Sequence, residues 1–170
     1  MNIIYSDMPL PEIVYDKNWN VIDPLFTFNK SIFLAGPTPR KPEVKSWRPE
    51  AIEILKELKY DGYVLVPERQ DWSVKFEYED QVEWEYEALS RTRYIIFWVP
   101  RSFPDMPALT TNVEFGCWLI KRPHRVYYGR PDTSEKNRYL DWFYKKQIKC
   151  DPANNLRQLI ETVYKNINHD

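Results

Sequence analysis

Two carboxylates, Glu114 and Glu85, are the side chains of this sequence that could do chemistry together. Glu114 follows a Thr-Thr-Asn segment, the kind of sequence that caps a helix, so we predict that it lies in the first turn of a helix. Glu85 lies between Val82 and Leu89 on the same edge of a second predicted helix. Two carboxylates in different surroundings can divide the work of retaining glycoside cleavage, in which one attacks the sugar and the other binds or transfers a proton.

Each carboxylate also has an ordinary structural explanation. Acidic residues are common in the first turn of a helix, where they complement the helix dipole. Glu85 is surrounded by other acidic residues in the segment QVEWEYEAL, which is equally typical of a solvated helix face. The pair alone is therefore a weak signal, and its interest depends on where the predicted elements place it.

The strand predicted before Glu114 covers residues 94–99, an unbroken run of apolar residues ended by Pro100. Such a run is typical of a strand that is buried on both faces of a parallel sheet, and we expect it in the middle of the sheet. A carboxylate just beyond the carboxyl end of that strand lies where open α/β sheets bind their ligands. We expect the dipole of the following helix to keep this carboxylate ionised.

The remaining apolar patterns alternate between strand and helix. This alternation predicts a single doubly wound α/β domain of the flavodoxin or Rossmann type over residues 31–170, with a four- or five-stranded parallel sheet and helices on both faces. Residues 1–30 favour an irregular N-terminal arm or a small hairpin. The other strands are predicted at residues 32–34, 63–66, 125–128 and, as a short edge strand, 147–149. Helices are predicted to begin near Ser46, Asp80, Asn112, Ser134 and Asp151, with Val82, Tyr86 and Leu89 on the inner face of the second.

Three loops leave the carboxyl ends of the first three predicted strands of this domain and should surround one crevice. They cover residues 36–40, 67–71 and 100–111. In the first loop Gly36 permits close approach of the backbone and Pro37 fixes the exit path. The aromatic content of 16% with only 4 glycines predicts a crevice with large rings in its walls, which suits a ligand with a flat face.

Composition excludes several other classes of function. Lys and Arg number 24 against 25 Asp and Glu, so nothing indicates a nucleic acid polymer or an anionic membrane as a partner. Cys117 and Cys150 have neither paired spacing nor a nearby His, which favours reduced thiols in a cytoplasmic protein and predicts no metal site. No stretch approaches the length of a membrane span, so a soluble protein is expected.

The segments SIFLAGPTPR, SWRPEAIEIL, DGYVLVPE, WEYEALSRTRYIIFWVPR and ALTTNVEFG occur in an order that resembles the nucleoside 2-deoxyribosyltransferase-like proteins, a branch of the nucleoside deoxyribosyltransferase superfamily. The resemblance extends from about residue 31 to about residue 139. It implies cleavage or transfer at the N-glycosidic bond of a (deoxy)nucleoside or nucleotide. In that superfamily a Glu in a G-x-x-x-E-x-G type segment attacks the anomeric carbon, and Glu114 and Gly116 occupy the corresponding places. Glu85 matches an acidic residue that contacts the base in the transferases.

The sequence also departs from the family pattern. Transferases usually have an Asp where Pro100 and Arg101 stand here, and the loop that follows is longer, so the handling of the base is expected to differ. Hydroxyl and backbone N–H groups at a helix N-terminus are suited to hold an anion such as a 5′-phosphate. The residues expected to bind substrate, together with Gly36 and Pro37, are Thr110, Thr111, Asn112, Arg40, Arg48 and Arg101, although each arginine is equally compatible with an ordinary surface or ion-paired role.

Three functions fit this resemblance. The first is an enzyme that transfers or cleaves through a covalent ester on Glu114, without a metal or redox cofactor. The second is a hydrolase of nucleoside 5′-monophosphates, and the third is a nucleotide-sensing module that has lost catalysis. Because members of the superfamily complete their sites across subunits, the resemblance also implies a homodimer or a larger homo-oligomer.

Overall fold

A computed structural model of the protein describes residues 1–27, 30–71, 73 and 77–168. Within these residues five strands form one parallel sheet in the order β1-β5-β4-β6-β7, and two further strands form a separate antiparallel hairpin. The sheet consists of β1 (Asn2–Tyr5), β5 (Tyr63–Val66), β4 (Ser31–Ala35), β6 (Tyr94–Trp98) and β7 (Val126–Gly129), and the hairpin of β2 (Val14–Tyr15) and β3 (Val21–Ile22). The helices are α1 (Arg48–Glu57), α2 (Tyr78–Arg91), α3 (Leu109–Lys121), α4 (Arg138–Ile148) and α5 (Leu156–Ile167).

Helices cover both faces of the sheet, which confirms the predicted doubly wound α/β fold. On one face α2, α3 and α4 pack their apolar residues into a core with Phe33, Ile95 and Phe97. On the other face α1 and α5 pack against Ile32, Leu34 and their neighbours. Because both faces are covered, the inner strands are apolar throughout, and every residue of β4 and β6 is buried.

Strand β6 is an interior strand, as predicted, but it is not the middle one. It pairs with β4 on one side, with Ile32 opposite Tyr94, and with β7 on the other, with Ile95 opposite Val126. The middle position belongs to β4, because β5 and then β1 extend the sheet beyond it. Both β4 and β6 end at the edge of the sheet where ligands are expected.

The two ends of the chain differ from the sequence prediction. Residues 147–149 do not form an edge strand, because α4 continues to Ile148. The predicted edge strand is therefore absent. The sheet has a different edge strand, β1, which pairs with β5 and lies within the predicted N-terminal arm. Helix α5 begins at Leu156 and not near Asp151, because the side chain of Asn155 accepts a hydrogen bond from the Gln158 N–H at 3.0 Å and caps the helix there.

Helix α4 begins at Arg138 and not at Ser134, because the hydroxyl of Ser134 is used elsewhere. It donates to the Val99 carbonyl at 2.6 Å and accepts from the Arg101 N–H at 2.8 Å. Ser134 therefore ties its loop to the end of β6 and leaves the N-cap position to Asn137.

Helices α2 and α3 occupy the predicted regions with different faces and boundaries. Helix α2 buries Trp84, Ala88 and Leu89, whereas Val82 and Tyr86, predicted to point inward, are 45% and 65% exposed. Helix α3 begins at Leu109 because Ala108, with φ of 56°, turns the chain sharply and already accepts a helical hydrogen bond from the Asn112 N–H. Glu114 therefore lies in the second turn of α3 and not in the first.

Candidate active site

A cavity of about 430 Å³ opens at the carboxyl ends of β4 and β5, between helices α2 and α3. This volume falls in the range of sites that bind small molecules. Eight of the ten residues proposed from the sequence line the cavity, namely Gly36, Pro37, Arg40, Arg48, Glu85, Thr110, Thr111 and Glu114. The predicted crevice at this edge of the sheet is therefore present in the structure.

Gly36 shapes the floor of the cavity because no other residue fits its position. Its φ is 150°, and a Cβ built there would lie 2.1 Å from the carbonyl oxygen of Trp98. The backbone leaving β4 thus passes directly against the end of β6. This close contact holds the loop after β4 against the end of β6, where the loop forms part of the wall of the crevice.

Arg48 lies beneath the crevice and is almost completely buried. Its guanidinium donates to the Leu34 carbonyl at 3.0 Å, to the Gly36 carbonyl at 2.7 Å and to the Glu68 carboxylate at 2.6 Å. A further donor reaches the Thr38 hydroxyl at 3.2 Å. Because these bonds occupy the guanidinium, we assign Arg48 to holding the first loop in place and to supplying positive charge to the crevice.

The two carboxylates meet inside the crevice. Glu85 from α2 and Glu114 from α3 lie within hydrogen-bonding reach of each other. The positive charge of Arg48 acts to lower the pKa of both carboxyls. Gln81, one helical turn before Glu85, donates a hydrogen bond from its side-chain amide to the Glu85 carboxylate at 2.9 Å. Two separate helices therefore bring the pair proposed from the sequence into a single site.

Burial, and secondarily the negative charge of Glu85, raises the pKa of Glu114 from 4.5 to about 7, although Arg48 opposes this shift. Burial also raises the pKa of Glu85, while Gln81 and Arg48 partly offset the effect. Two carboxyls this close titrate as a pair, so near neutral pH they share one proton. The expectation that a helix dipole keeps Glu114 ionised is wrong, because burial dominates and the residue lies one turn too far from the N-terminus.

Arg101 and Asn112, the other two residues proposed from the sequence, do not line this cavity. Arg101 is buried, and its guanidinium donates to the Lys136 carbonyl at 2.9 Å and to the side-chain oxygen of Asn112. These bonds tie the loop before α4 to the N-terminal half of α3. The structure thus gives Arg101 and Asn112 a bracing role, because their polar groups are turned toward each other.

Several residues that line the cavity were not identified from the sequence. Gln81 could have been, because residues four apart on a helix are neighbours and Glu85 is its partner. Other lining residues include Tyr86, Trp118 and Lys121, and Lys121 lies over the Trp118 ring at 5.1 Å. In the sequence these three residues had no pattern that marked them as lining a ligand site.

The described part of the chain contains no cluster of three or more His, Cys, Asp or Glu side chains suited to hold a metal ion. Nor does it contain a helix long and apolar enough to cross a membrane.

Fold and site together define an α/β protein with a two-carboxylate crevice at the carboxyl edge of its sheet. The family model described as nucleoside 2-deoxyribosyltransferase like matches residues 29–132, more than half of the chain. The chain belongs to that family, and the resemblance seen in the sequence is confirmed.

Among solved structures, the chain is similar to a conserved protein from Enterococcus faecalis V583, with a TM-score of 0.51 and 14% sequence identity. The match covers 81% of this chain and 98% of that one. At this identity the similarity supports the fold alone. Among curated proteins, no sequence matches this chain.

The raised pKa of Glu114 predicts that Glu114→Gln stabilises the protein above neutral pH. Between pH 4.5 and about 7 the folded state holds a proton that the unfolded state releases, so the free energy of unfolding falls as the pH rises. Above pH 7 the ionised Glu114 carboxylate lowers the free energy of unfolding by on the order of 3 kcal/mol. We expect the variant to melt about 5–10 °C above the wild type at pH 8 and close to it at pH 4.5, by calorimetry.

The matched control is Glu83→Gln on the exposed side of α2. Its melting temperature should follow that of the wild type at both pH values. A wild type that is more stable than Glu114→Gln at pH 8 would show that the Glu114 carboxylate is stabilised in the folded state, contrary to the raised pKa.

Proposed function

We propose that the protein cleaves the N-glycosidic bond of a nucleoside or nucleotide, with Glu114 as the nucleophile and Glu85 as the group that transfers the proton. The observation that carries the proposal is the carboxyl pair itself, buried in a crevice and brought together by α2 and α3. Membership of the nucleoside 2-deoxyribosyltransferase-like family supports the choice of bond. The aromatic and aliphatic walls suit a flat base.

In the first step a Glu114 oxygen attacks the anomeric carbon, and a new C–O bond forms as the bond from that carbon to the base nitrogen breaks. The electron pair of the broken bond goes to the base, which takes a proton from the Glu85 carboxyl. In the second step a water molecule, or the N–H of another base, attacks the same carbon and releases Glu114. The proton of the attacking group returns to Glu85, so both carboxyls regain their starting state.

This scheme requires the shared proton to reside on Glu85 during the attack. In the folded protein the higher basicity of Glu114 favours the opposite arrangement. Transfer between the carboxyls needs no movement of the chain, because they lie within hydrogen-bonding reach of each other. The nearby Arg48 charge favours the ionised form of both carboxyls, so it supports an ionised Glu114 but does not determine which carboxyl holds the proton.

A hydrolase of nucleoside 5′-monophosphates is the second candidate, and the charges of the crevice favour it. Arg40 and Lys121 line the cavity in addition to Arg48, and Thr110 places a hydroxyl beside the N-terminus of α3. Cations and a helix N-terminus together suit a phosphate group. The two candidates share the first chemical step and differ in the group that attacks the glycosyl ester.

The test is to incubate the protein with a panel of nucleosides and 5′-monophosphates, with and without an acceptor base, and to follow base release by chromatography. Release without an acceptor indicates hydrolysis, and release only with an acceptor indicates transfer. Acid-quenched samples should show by mass spectrometry a glycosyl adduct on Glu114. Binding without any release across the panel would contradict the proposal and favour a nucleotide-sensing module.

The role of Glu85 predicts an effect that depends on the leaving base. With ordinary nucleosides, Glu85→Gln should lower kcat/KM by about 10²-fold or more, because the base departs without a proton. With an N7-methylated purine nucleoside, whose cationic base leaves as a neutral molecule, the same variant should lose less than about tenfold. Steady-state kinetics on both substrates measure the difference.

Glu83→Gln is again the control and should match the wild type on both substrates, because Glu83 is exposed on the same helix. Equal losses on the two substrates would assign Glu85 to positioning and not to proton transfer.

A further inference from the structure

Basic and aromatic side chains form a cluster at the amino-terminal edge of the sheet, the edge opposite to the carboxyl ends of the strands. They come from the loop after β3, from the end of α3 and from the short connections that lead into β6 and β7. We call this cluster the basic edge, and its residues are Phe26, Arg93, Trp118, Lys121, Arg122 and Arg125. Lys121 and Arg122 lie over the Trp118 ring at 5.1 and 5.2 Å. Arg93 and Arg122 lie over the Phe26 ring at 5.0 and 5.8 Å, so three cations and two rings form one continuous chain of contacts.

The positive charge of this chain of contacts is not balanced by the neighbouring carboxylates. Asp23 and Glu87 both accept hydrogen bonds from Arg91, at 3.0 Å and 2.6 Å, so their charges are already paired. Within the part of the chain that the structure describes, Arg93, Lys121 and Arg122 form no ion pair. Three unpaired cations in mutual contact through aromatic rings attract a multiply charged anion.

Arg122 has a structural role in addition to its charge. Its guanidinium donates to the Ser90 carbonyl at 2.6 Å and to the Thr92 carbonyl at 3.1 Å, and these bonds cap the C-terminal end of α2. Burial, and secondarily the positive charges of Arg125 and Arg93, lower the pKa of Arg122. The cations of the basic edge therefore repel one another in the folded protein.

Arg93 has no comparable structural role. Its side chain is half-buried, and its Nε is buried without a hydrogen-bond partner among the described residues. The guanidinium has thus lost part of its hydration without gaining an acceptor, and it packs only on the Phe26 ring beside a like charge. An anion bound against its terminal nitrogens would supply the missing acceptor and would neutralise the repulsion.

We propose that the basic edge binds a small soluble compound that carries two or more phosphate groups. Arginine forks bind phosphate oxygens in pairs, and several cations in one chain of contacts match several phosphate groups better than a single one. The rings do not favour a single-stranded nucleic acid, whose bases need free aromatic faces for stacking. Trp118 is buried, and two guanidinium groups already pack on the Phe26 ring.

The basic edge is a different site from the two-carboxylate centre of the crevice, although α3 contributes to both. Lys121 follows Glu114 by seven residues, which corresponds to about 10 Å along the helix. Arg93 and Arg122 do not line the crevice, whereas Arg40 lines it and lies outside the basic edge. Binding at the basic edge is therefore expected with or without a nucleoside in the crevice.

The first test is calorimetric titration of the full chain with phosphate, pyrophosphate and tripolyphosphate at roughly 0.15 M ionic strength. Affinity should rise with the number of phosphate groups, and Arg93→Gln should weaken tripolyphosphate binding by about tenfold or more. Two controls each remove one exposed cation elsewhere, Lys146→Gln on α4 and Arg40→Gln in the crevice, and both should retain this binding. Absence of saturable tripolyphosphate binding, or equal affinity in Arg93→Gln and the wild type, would overturn the proposal.

The second test separates a ligand-binding role of Arg93 from a purely structural one by thermal melting. Without ligand, Arg93→Gln should melt within about 3 °C of the wild type, because relief of the repulsion offsets the lost contact with Phe26. Tripolyphosphate at about a hundred times its Kd should raise the melting temperature of the wild type by about 5 °C or more, and that of the variant by about half as much or less. A variant that melts far below the wild type and keeps the full ligand shift would assign Arg93 to the fold alone.

The third test compares tripolyphosphate with two larger polyanions, a single-stranded oligonucleotide and vesicles that contain anionic lipid. Tripolyphosphate should bind more tightly per phosphate group than either of them. Tighter binding of the oligonucleotide or the vesicles, lost equally in Arg93→Gln, would overturn the choice of a small polyphosphate and assign the basic edge to that polyanion.

Discussion

Glu114→Gln is expected to lower kcat on the best substrate by about 10³-fold or more while leaving the fold intact. The amide has almost the same shape as the carboxylate but lacks the charge and the basic electron pair needed to form the glycosyl ester. Because the pKa of Glu114 is raised by burial, the substitution should not destabilise the protein, and above pH 7 it should stabilise it. A loss of turnover in a protein that melts at a higher temperature can only be chemical.

Three measurements test whether Glu114 is the nucleophile. Turnover is compared with that of Glu83→Gln, which removes a carboxylate from the same side of the sheet without touching the crevice. Nucleotide binding by Glu114→Gln is measured by calorimetry and should persist, because the walls of the crevice remain. The glycosyl adduct should be absent from this variant. Full cleavage by Glu114→Gln would remove Glu114 as the nucleophile and leave the buried pair with a binding role.

Much of the fold could be predicted from the sequence because the inner strands are buried on both faces. Residues 94–99 and 63–66 were predicted almost as β6 and β5 are formed, since an unbroken apolar run leaves few alternatives. The edge of the sheet gave no such signal. The four-residue segment Asn2–Tyr5 forms an edge strand and the three residues 147–149 do not, because α4 continues through most of them.

The first residue of α3 could not be predicted from the sequence, for a different reason. The Thr-Thr-Asn segment has the side chains of an N-cap, yet the helix begins before it because Ala108 adopts a left-handed conformation with φ of 56°. Alanine seldom does so, and nothing in the sequence indicates it. The shift of a few residues moves Glu114 from the first to the second turn, and this removes the dipole effect on which its predicted ionisation rested.

The sequence predicted those site residues whose role follows from residue type and position. It did not predict the role of residues that depends on their hydrogen-bond partners in the folded protein. Glu85 and Glu114 were proposed together, and the two helices do bring them into one crevice. Arg48 and Arg101 were proposed as substrate-binding cations because charge alone suggests it. Their hydrogen bonds within the protein show that both residues hold loops, while Arg48 also lines the crevice, and such hydrogen-bond partners depend on the folded chain.

Arg48→Met is expected to lower the free energy of unfolding by about 3–5 kcal/mol. Arg48 is 1% exposed, and its removal leaves the Glu68 carboxylate without its cation and the carbonyls of Leu34 and Gly36 without their donor. Methionine fills a similar volume, so the loss measures the polar contacts more than a cavity. Urea denaturation gives the value.

Arg157→Met is the matched control, because Arg157 forms an ion pair of similar length with Glu57 at 2.7 Å on an exposed surface. This change should cost about 1 kcal/mol or less. The double variant Arg48→Met with Glu68→Gln should recover part of the loss, since the unpaired charge is then also removed. A cost for Arg48→Met no larger than for Arg157→Met would mean that the loop after β4 keeps its shape without the guanidinium. The first loop would then be held by the close contact of Gly36 with the end of β6 and by the bond from the Arg40 N–H to the Asp105 carbonyl at 3.1 Å.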